Sequence, residues 1–166
     1  MKRGRRGNMV LEAAMWMPVF FLLISGIIQF GKITYLYYTL RKIEYTIARS
    51  VSIESGVNFC PDASDPIIQG AIEFALTGTT DGSGPPLVEN LTAGMISVTT
   101  ECVDPATGLP GACDTSGCDG AVGAQRPDYV VVAIPDGYQV QLRIPYILLS
   151  PFQFKPTVAV PFGGVS

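Results

Sequence analysis

Lys2-Arg-Gly-Arg-Arg-Gly7-Asn8-Met-Val-Leu-Glu12, continued by Ala13-Ala-Met-Trp-Met-Pro18-Val-Phe-Phe-Leu-Leu-Ile-Ser-Gly26-Ile-Ile-Gln-Phe-Gly31-Lys32-Ile33, is the stretch on which the reading of this chain turns. Four cations, Lys2, Arg3, Arg5 and Arg6, precede a glycine and then a single carboxylate, and no further charge appears before Lys32. The uncharged run from Ala13 to Gly31 has 19 residues. At about 1.5 Å per helical residue it matches the thickness of a bilayer's hydrocarbon core, so it can cross a membrane.

A basic start before an apolar core also describes a secretory signal peptide, whose core is short and ends in small residues at a cleavage site. Here no Ala-x-Ala site follows, and Lys32-Ile-Thr-Tyr-Leu-Tyr-Tyr38 carries the pattern onward. The segment therefore reads as retained. Glu12 is the exception within it. A carboxylate at the edge of a membrane helix is costly to desolvate, which points to a specific partner more than to lipid headgroups.

A basic leader, Gly7, a Glu five residues later and then an apolar helix resemble a type IV prepilin signal, which a prepilin peptidase cuts after the glycine on the cytoplasmic side. Leu11-Glu12-Ala13, Met17-Pro18 and above all Gly26-Ile-Ile-Gln-Phe-Gly-Lys32 resemble the TadE-like family of pseudopilins from tight-adherence (Flp) pilus systems. The resemblance covers residues 5–50 well and the remainder loosely. It implies cleavage between Gly7 and Asn8. The partners it implies are the prepilin peptidase, other pilins and minor pilins, and the inner-membrane pilus assembly platform, alongside the lipid bilayer. Major Flp pilins are far shorter than this chain, so the resemblance points to the minor class.

Cleavage there would leave a new α-amine four residues, about 6 Å, from Glu12. When such helices pack side by side away from water, the amine of one meets the carboxylate of the next, and the pair offsets two burial costs that neither group bears alone. Glu12 is thus the expected assembly and register residue.

The chain has 166 residues, room for one membrane anchor and one small domain. Its formal charge of -3 conceals an asymmetry: residues 51–166 hold Arg126, Arg143 and Lys155 against twelve Asp and Glu, a net of -9. So acidic a part offers no basic face to nucleic acid. Cys60, Cys102, Cys113 and Cys118 all lie in it. An even count beyond a membrane anchor reads as two disulfides formed in an oxidising compartment. Zinc is the alternative, but there is no CxxC pair and no histidine. Of the three connectivities, the reading leans to Cys60–Cys102 with Cys113–Cys118. The leader's cations favour an N-terminus in the cytoplasm, Lys32, Arg41, Lys42 and Arg49 weigh against it, and the cysteines decide for an outer C-terminal part.

Pro18 is the lone proline before Pro61. It removes one backbone hydrogen bond within the span, as a kink or as a tolerated membrane proline. Ser25, Gly26 and Gly31 form a small-residue patch suited to close helix packing. Past the membrane, Ile33, Leu36, Leu40, Ile43, Ile47 and Val51 recur at helical spacing, with Lys32, Thr39, Arg41, Lys42, Thr46 and Arg49 largely elsewhere. Tyr35, Tyr37 and Tyr38 read as an interfacial aromatic belt. A single helix over residues 8–54 would be about 70 Å long.

Ser55-Gly56 ends that helix and Cys60-Pro61 begins a loop. Asp65-Pro66 opens a short helix to Leu76, with Asp65 as its N-cap. Thr77–Pro86 is turn-rich. Met95–Val103, Tyr129–Ile134 and Tyr138–Tyr146 read as strands, the last two joined by Pro135-Asp-Gly137 into an antiparallel hairpin, with a further short strand over Thr157–Val160. Val103–Pro127 reads as a disulfide-stapled loop. Its Asp114–Gly120 lacks the alternating ligands and terminal Glu of an EF-hand calcium loop.

The fold class expected is α+β: a long N-terminal membrane-spanning helix that continues as a spine packed on a small antiparallel β-sheet, pilin-like in plan. The parts are a basic leader over 1–7, the transmembrane part of the helix over 8–32, its outer half over 33–54 and a disulfide-stapled ectodomain over 55–166. No nucleophile with a base, phosphate loop or dinucleotide fingerprint occurs, so neither an enzyme nor a cofactor is expected. By resemblance the chain is a minor pilin or pseudopilin, a structural subunit for pilus assembly and adhesion. The alternatives are a pseudopilin of a type II-like secretion system and a non-polymerising single-pass adhesin or sensor. The location implied is a bacterial inner membrane, N-terminus cytoplasmic and C-terminal domain periplasmic, or extracellular in the pilus.

Overall fold

One α-helix of 50 residues, α1 (Gly4–Ile53), dominates the computed structural model, which describes residues 4–59, 65–113, 126–141, 143–144, 147–148 and 150–163. Pro18 is the single helix breaker within it, and the chain leaves the helix at Gly56, whose φ of 78° lies in the left-handed region that glycine enters without a Cβ clash. By packing, the chain falls into two units, one of residues up to Leu36 with Gln139–Gln153, the other of Tyr37–Tyr138 with Phe154 onward.

In the second unit the outer part of α1 packs on a four-stranded antiparallel sheet in the order β2-β1-β3-β8. The strands are β1 (Ser97–Val103), β2 (Pro110–Ala112), β3 (Tyr129–Ala133) and β8 (Thr157–Pro161). Val98 opposes Val132, Thr100 opposes Val130, and Val130 and Val132 oppose Val160 and Val158. Cross-strand partners share a face, so these side chains form one apolar surface. Val130 and Val132 are fully buried, as are Leu40, Ile47 and Val51 of α1. The helical and strand periods thus bury matching stripes, which is why a lone helix and a thin sheet suffice for a core.

α2 (Pro66–Thr77) begins as its sequence dictates. Asp65 Oδ1 accepts from the Ile67 N–H at 2.7 Å, while Oδ2 accepts from the Asn58 N–H at 2.7 Å and ties the preceding loop to the cap. Ile72, Ala75 and Leu76 are buried. The following turn folds back so closely that a Cβ on Gly84 would run into the Thr77 carbonyl oxygen.

Three expectations are corrected. The Tyr129–Tyr146 hairpin does not form: β3 is the inner strand between β1 and β8, so both of its edges are occupied. A turn does occur, with the Gly137 N–H donating to the Ile134 carbonyl at 3.0 Å, but it sends the chain away from β3. The expected Tyr138–Tyr146 strand is divided: β4 (Tyr138–Val140) pairs with β7 (Phe152–Phe154), and β5 (Arg143–Ile144) pairs with β6 (Ile147–Leu148). Met95 belongs to a single 3-10 turn, Ala93–Met95, and the first strand starts at Ser97.

The pairing Cys60–Cys102 with Cys113–Cys118 is also corrected, because Cys102 is bonded to Cys113. The cause is β2, a strand inside what read as loop: with Cys102 opposite Gly111 and Glu101 opposite Ala112, the hairpin carries Cys113 back beside β1. Cys60, Cys118 and the Asp114–Gly120 segment lie outside the described residues. The final strand over Thr157–Val160 is present as β8.

Asp65→Ala removes the acceptor of two backbone N–H groups at once, and we expect the full-length protein in detergent to lose about 1–2 kcal/mol of stability. Denaturant titration followed by circular dichroism checks it.

Candidate functional site

Two features of α1 stand out chemically, one at each end. In its first part every described side chain from Leu11 to Ile24 is exposed, among them Trp16, Phe20 and Phe21. A helix that is apolar around its whole circumference is at home only inside a large protein or a bilayer. By length and composition this helix can cross a membrane, and none of its most apolar 18-residue window is buried within the protein.

Within that surface Glu12 is exposed, about one turn after the Gly7-Asn8 bond, which lies inside the helix. Pro18 leaves the Ala14 carbonyl without its helical N–H partner. At Gly26 and Gly31 an added Cβ would meet nothing within 4 Å, so no contact inside this chain requires glycine there. Five residues apart, the two glycines lie about 140° from each other around the helix, so each leaves a separate small-residue notch. These residues share one helix, but nothing among the described residues engages them together. Of the tyrosines read as a belt, Tyr35 and Tyr38 are largely exposed, whereas Tyr37 packs its ring 5.5 Å from that of Phe154.

The second feature was missed by sequence reasoning. Glu44 has no exposed surface, and neither of its carboxyl oxygens has a hydrogen-bond partner. It sits among Leu40, Ile43, Ile47, Ala48 and Val51, the buried stripe of α1. Burial pushes its pKa up from 4.5 to about 7, against the pull of the Arg41 guanidinium one turn earlier. The signal was available: Glu44 falls four residues after Leu40 and four before Ala48, on the face the apolar period assigns to the core. A lone buried acid can hold or release a proton, but it has no nucleophile or second base beside it.

Cys102 and Cys113 are joined to each other, so neither offers a thiolate to a metal. Among the described residues no group of three or more His, Cys, Asp or Glu is arranged to hold a metal ion.

Between pH 4.5 and about 7 an unfolded chain releases the Glu44 proton while the folded one keeps it, so stability falls as pH rises through this window and the loss is complete above it. We expect Glu44→Gln to flatten that slope, removing about 2 kcal/mol of the difference between pH 5 and pH 8. Denaturant titrations of both proteins at the two pH values measure it; parallel curves would contradict it.

No curated protein and no solved structure matches the chain. A family model does, and TadE-like proteins are structural, pilus-related proteins. Its match runs along α1 from Gly7 to Arg49, through both the exposed apolar part with Glu12 and the buried stripe with Glu44. Over residues 7–49 the chain is similar to the family described as TadE-like protein.

Proposed function

We propose that the chain is a minor pilin, or pseudopilin, of a tight-adherence pilus, held in a bacterial inner membrane by α1 until it is assembled. The prepilin peptidase cuts between Gly7 and Asn8, and other pilins and the assembly platform receive the mature subunit. The observation that carries the reading is the solitary exposed carboxylate of Glu12 at the head of an apolar helix surface that nothing among the described residues covers. A charge in that position is stable in an assembled state only if a cation from outside the chain meets it, and the α-amine freed at Asn8 of a neighbouring subunit has the right sign and depth. The TadE-like match over the same residues supports the reading. Gly26 and Gly31 would then allow close helix contact, and Pro18 would let the span bend as neighbours pack.

Mass spectrometry of the protein from its native membrane is expected to find Asn8 as the first residue; an intact leader would overturn the assignment and favour a non-polymerising anchor. Glu12→Ala is expected to insert normally yet fall at least tenfold in the sheared pilus fraction. Undiminished incorporation would sink the proposed role of Glu12. Recovery of the processed protein with a secretion complex in place of pili would favour the type II-like alternative.

A further inference from the structure

The outer part of α1 has a second face, opposite the buried stripe. Tyr38, Lys42, Tyr45 and Arg49 recur at spacings of 4, 3 and 4, with Arg41 beside them, and all five are exposed. The single acid between Tyr37 and Ile53 is Glu44, which is buried, so this face presents three cations and no anion. Among the described residues no carboxylate pairs with Lys42 or Arg49.

The complementary surface lies on the same unit, at the end of the sheet where β1 runs out. Glu101, Asp104 and Asp128 gather there: the Val103 N–H donates to Asp128 Oδ2 at 2.7 Å, and the Asp128 N–H donates to the Glu101 carbonyl at 3.0 Å. Asp104 is held in its turn by the Ala106 N–H at 2.8 Å and the Thr107 hydroxyl at 3.1 Å. Those bonds keep its carboxyl below the usual carboxylate range, so it stays charged. Arg126, over the Phe162 ring at 5.5 Å, is the one cation described nearby. Asp104 and Asp128 are exposed and Glu101 partly so.

The acidic end stands level with the Arg49 end of the basic face. The Phe162 N–H donates to the Asp128 carbonyl at 2.8 Å, and the next residue, Gly163, donates to the Ser52 carbonyl at 2.9 Å, one turn beyond Arg49. Two copies anchored side by side in one membrane, helices parallel, therefore bring the acidic sheet end of one to the height of the Arg49 end of the basic face of the other, with Lys42 about 15 Å further along the helix from Ser52.

We propose that the Tyr38–Arg49 face of α1 is an interface that receives the Glu101, Asp104 and Asp128 end of the sheet of a second copy of this chain. The contact joins two different surfaces, so it repeats from copy to copy into a ring or an open row and does not close as a two-fold pair. Its attraction is electrostatic and screened by salt over about 10 Å at 0.1 M. The inference rests on the reading of the chain as an assembly subunit and adds the residues of one contact.

The test uses the full chain in lipid nanodiscs or bilayers of neutral lipid, with self-association read by chemical crosslinking and by energy transfer between labelled copies. We expect Lys42→Glu with Arg49→Glu to reduce association about tenfold, as does Glu101→Lys with Asp104→Lys. Glu101→Lys alone, which leaves the Asp104 turn intact, is the control against misfolding and should give a smaller loss. Mixing the two reversed proteins should restore association, because each then offers the surface the other lacks. Association unaffected by reversal, or not restored in the mixture, overturns the proposal. So does a monomeric wild type, or binding that needs anionic lipid and not a second copy. Processing at Asn8 in the native membrane is a separate readout: a processed native protein whose chains do not associate in nanodiscs defeats this inference alone, and an intact leader in the native membrane defeats the pilus reading alone.

Discussion

One rod must satisfy two solvents. The first part of α1 exposes apolar side chains all round, which only a lipid or a ring of like helices can tolerate, while its outer part buries a stripe against a sheet and shows charges on the other side. The change occurs near Tyr37, where the aromatic ring of that residue already packs against Phe154. Everything downstream answers the demand of that stripe. The sheet is thin, and its inner strand carries three consecutive valines, Val130, Val131 and Val132, all buried. The remaining segments, α2 and the turns after it, close the margins of this one contact.

Against that background Glu44 is costly. An acid at the centre of the only broad helix-sheet contact described resists ionisation, and it does so without a donor to soften the burial. A leucine there would pack better by every rule that governs the neighbouring positions. Its presence makes the grip of helix on sheet respond to acidity near neutrality, at a place remote from the Glu12 end of the same rod.

What could be read beforehand divides along physical lines. The α+β plan, the long helix, the Asp65-Pro66 helix start and the last strand were legible because each depends on local chemistry or on periodicity. The partner of β3 was not, since a turn such as Pro135-Asp-Gly137 shows only that the chain reverses, not whether the neighbouring edge is free. The bond between Cys102 and Cys113 depended on β2, three residues of Pro-Gly-Ala with no strand propensity, which pairs because β1 offers an open edge. Glu44 was hidden by its type, as a charge is normally assigned to water, although its position argued otherwise. Glu12, by contrast, was legible in sequence and silent in the structure, as befits a group whose counterpart belongs to another molecule.

The clasp between Cys102 and Cys113 closes the hairpin of β1 and β2, beside Asp104 and Asp128. Such a bond needs an electron acceptor, and the cytoplasm withholds one. A newly made chain whose head has not yet crossed the membrane would therefore carry an unlatched, frayed β2. With the head outside the cytoplasm, as proposed, the bond would act as a quality seal, finishing the outer rim of the head only after delivery.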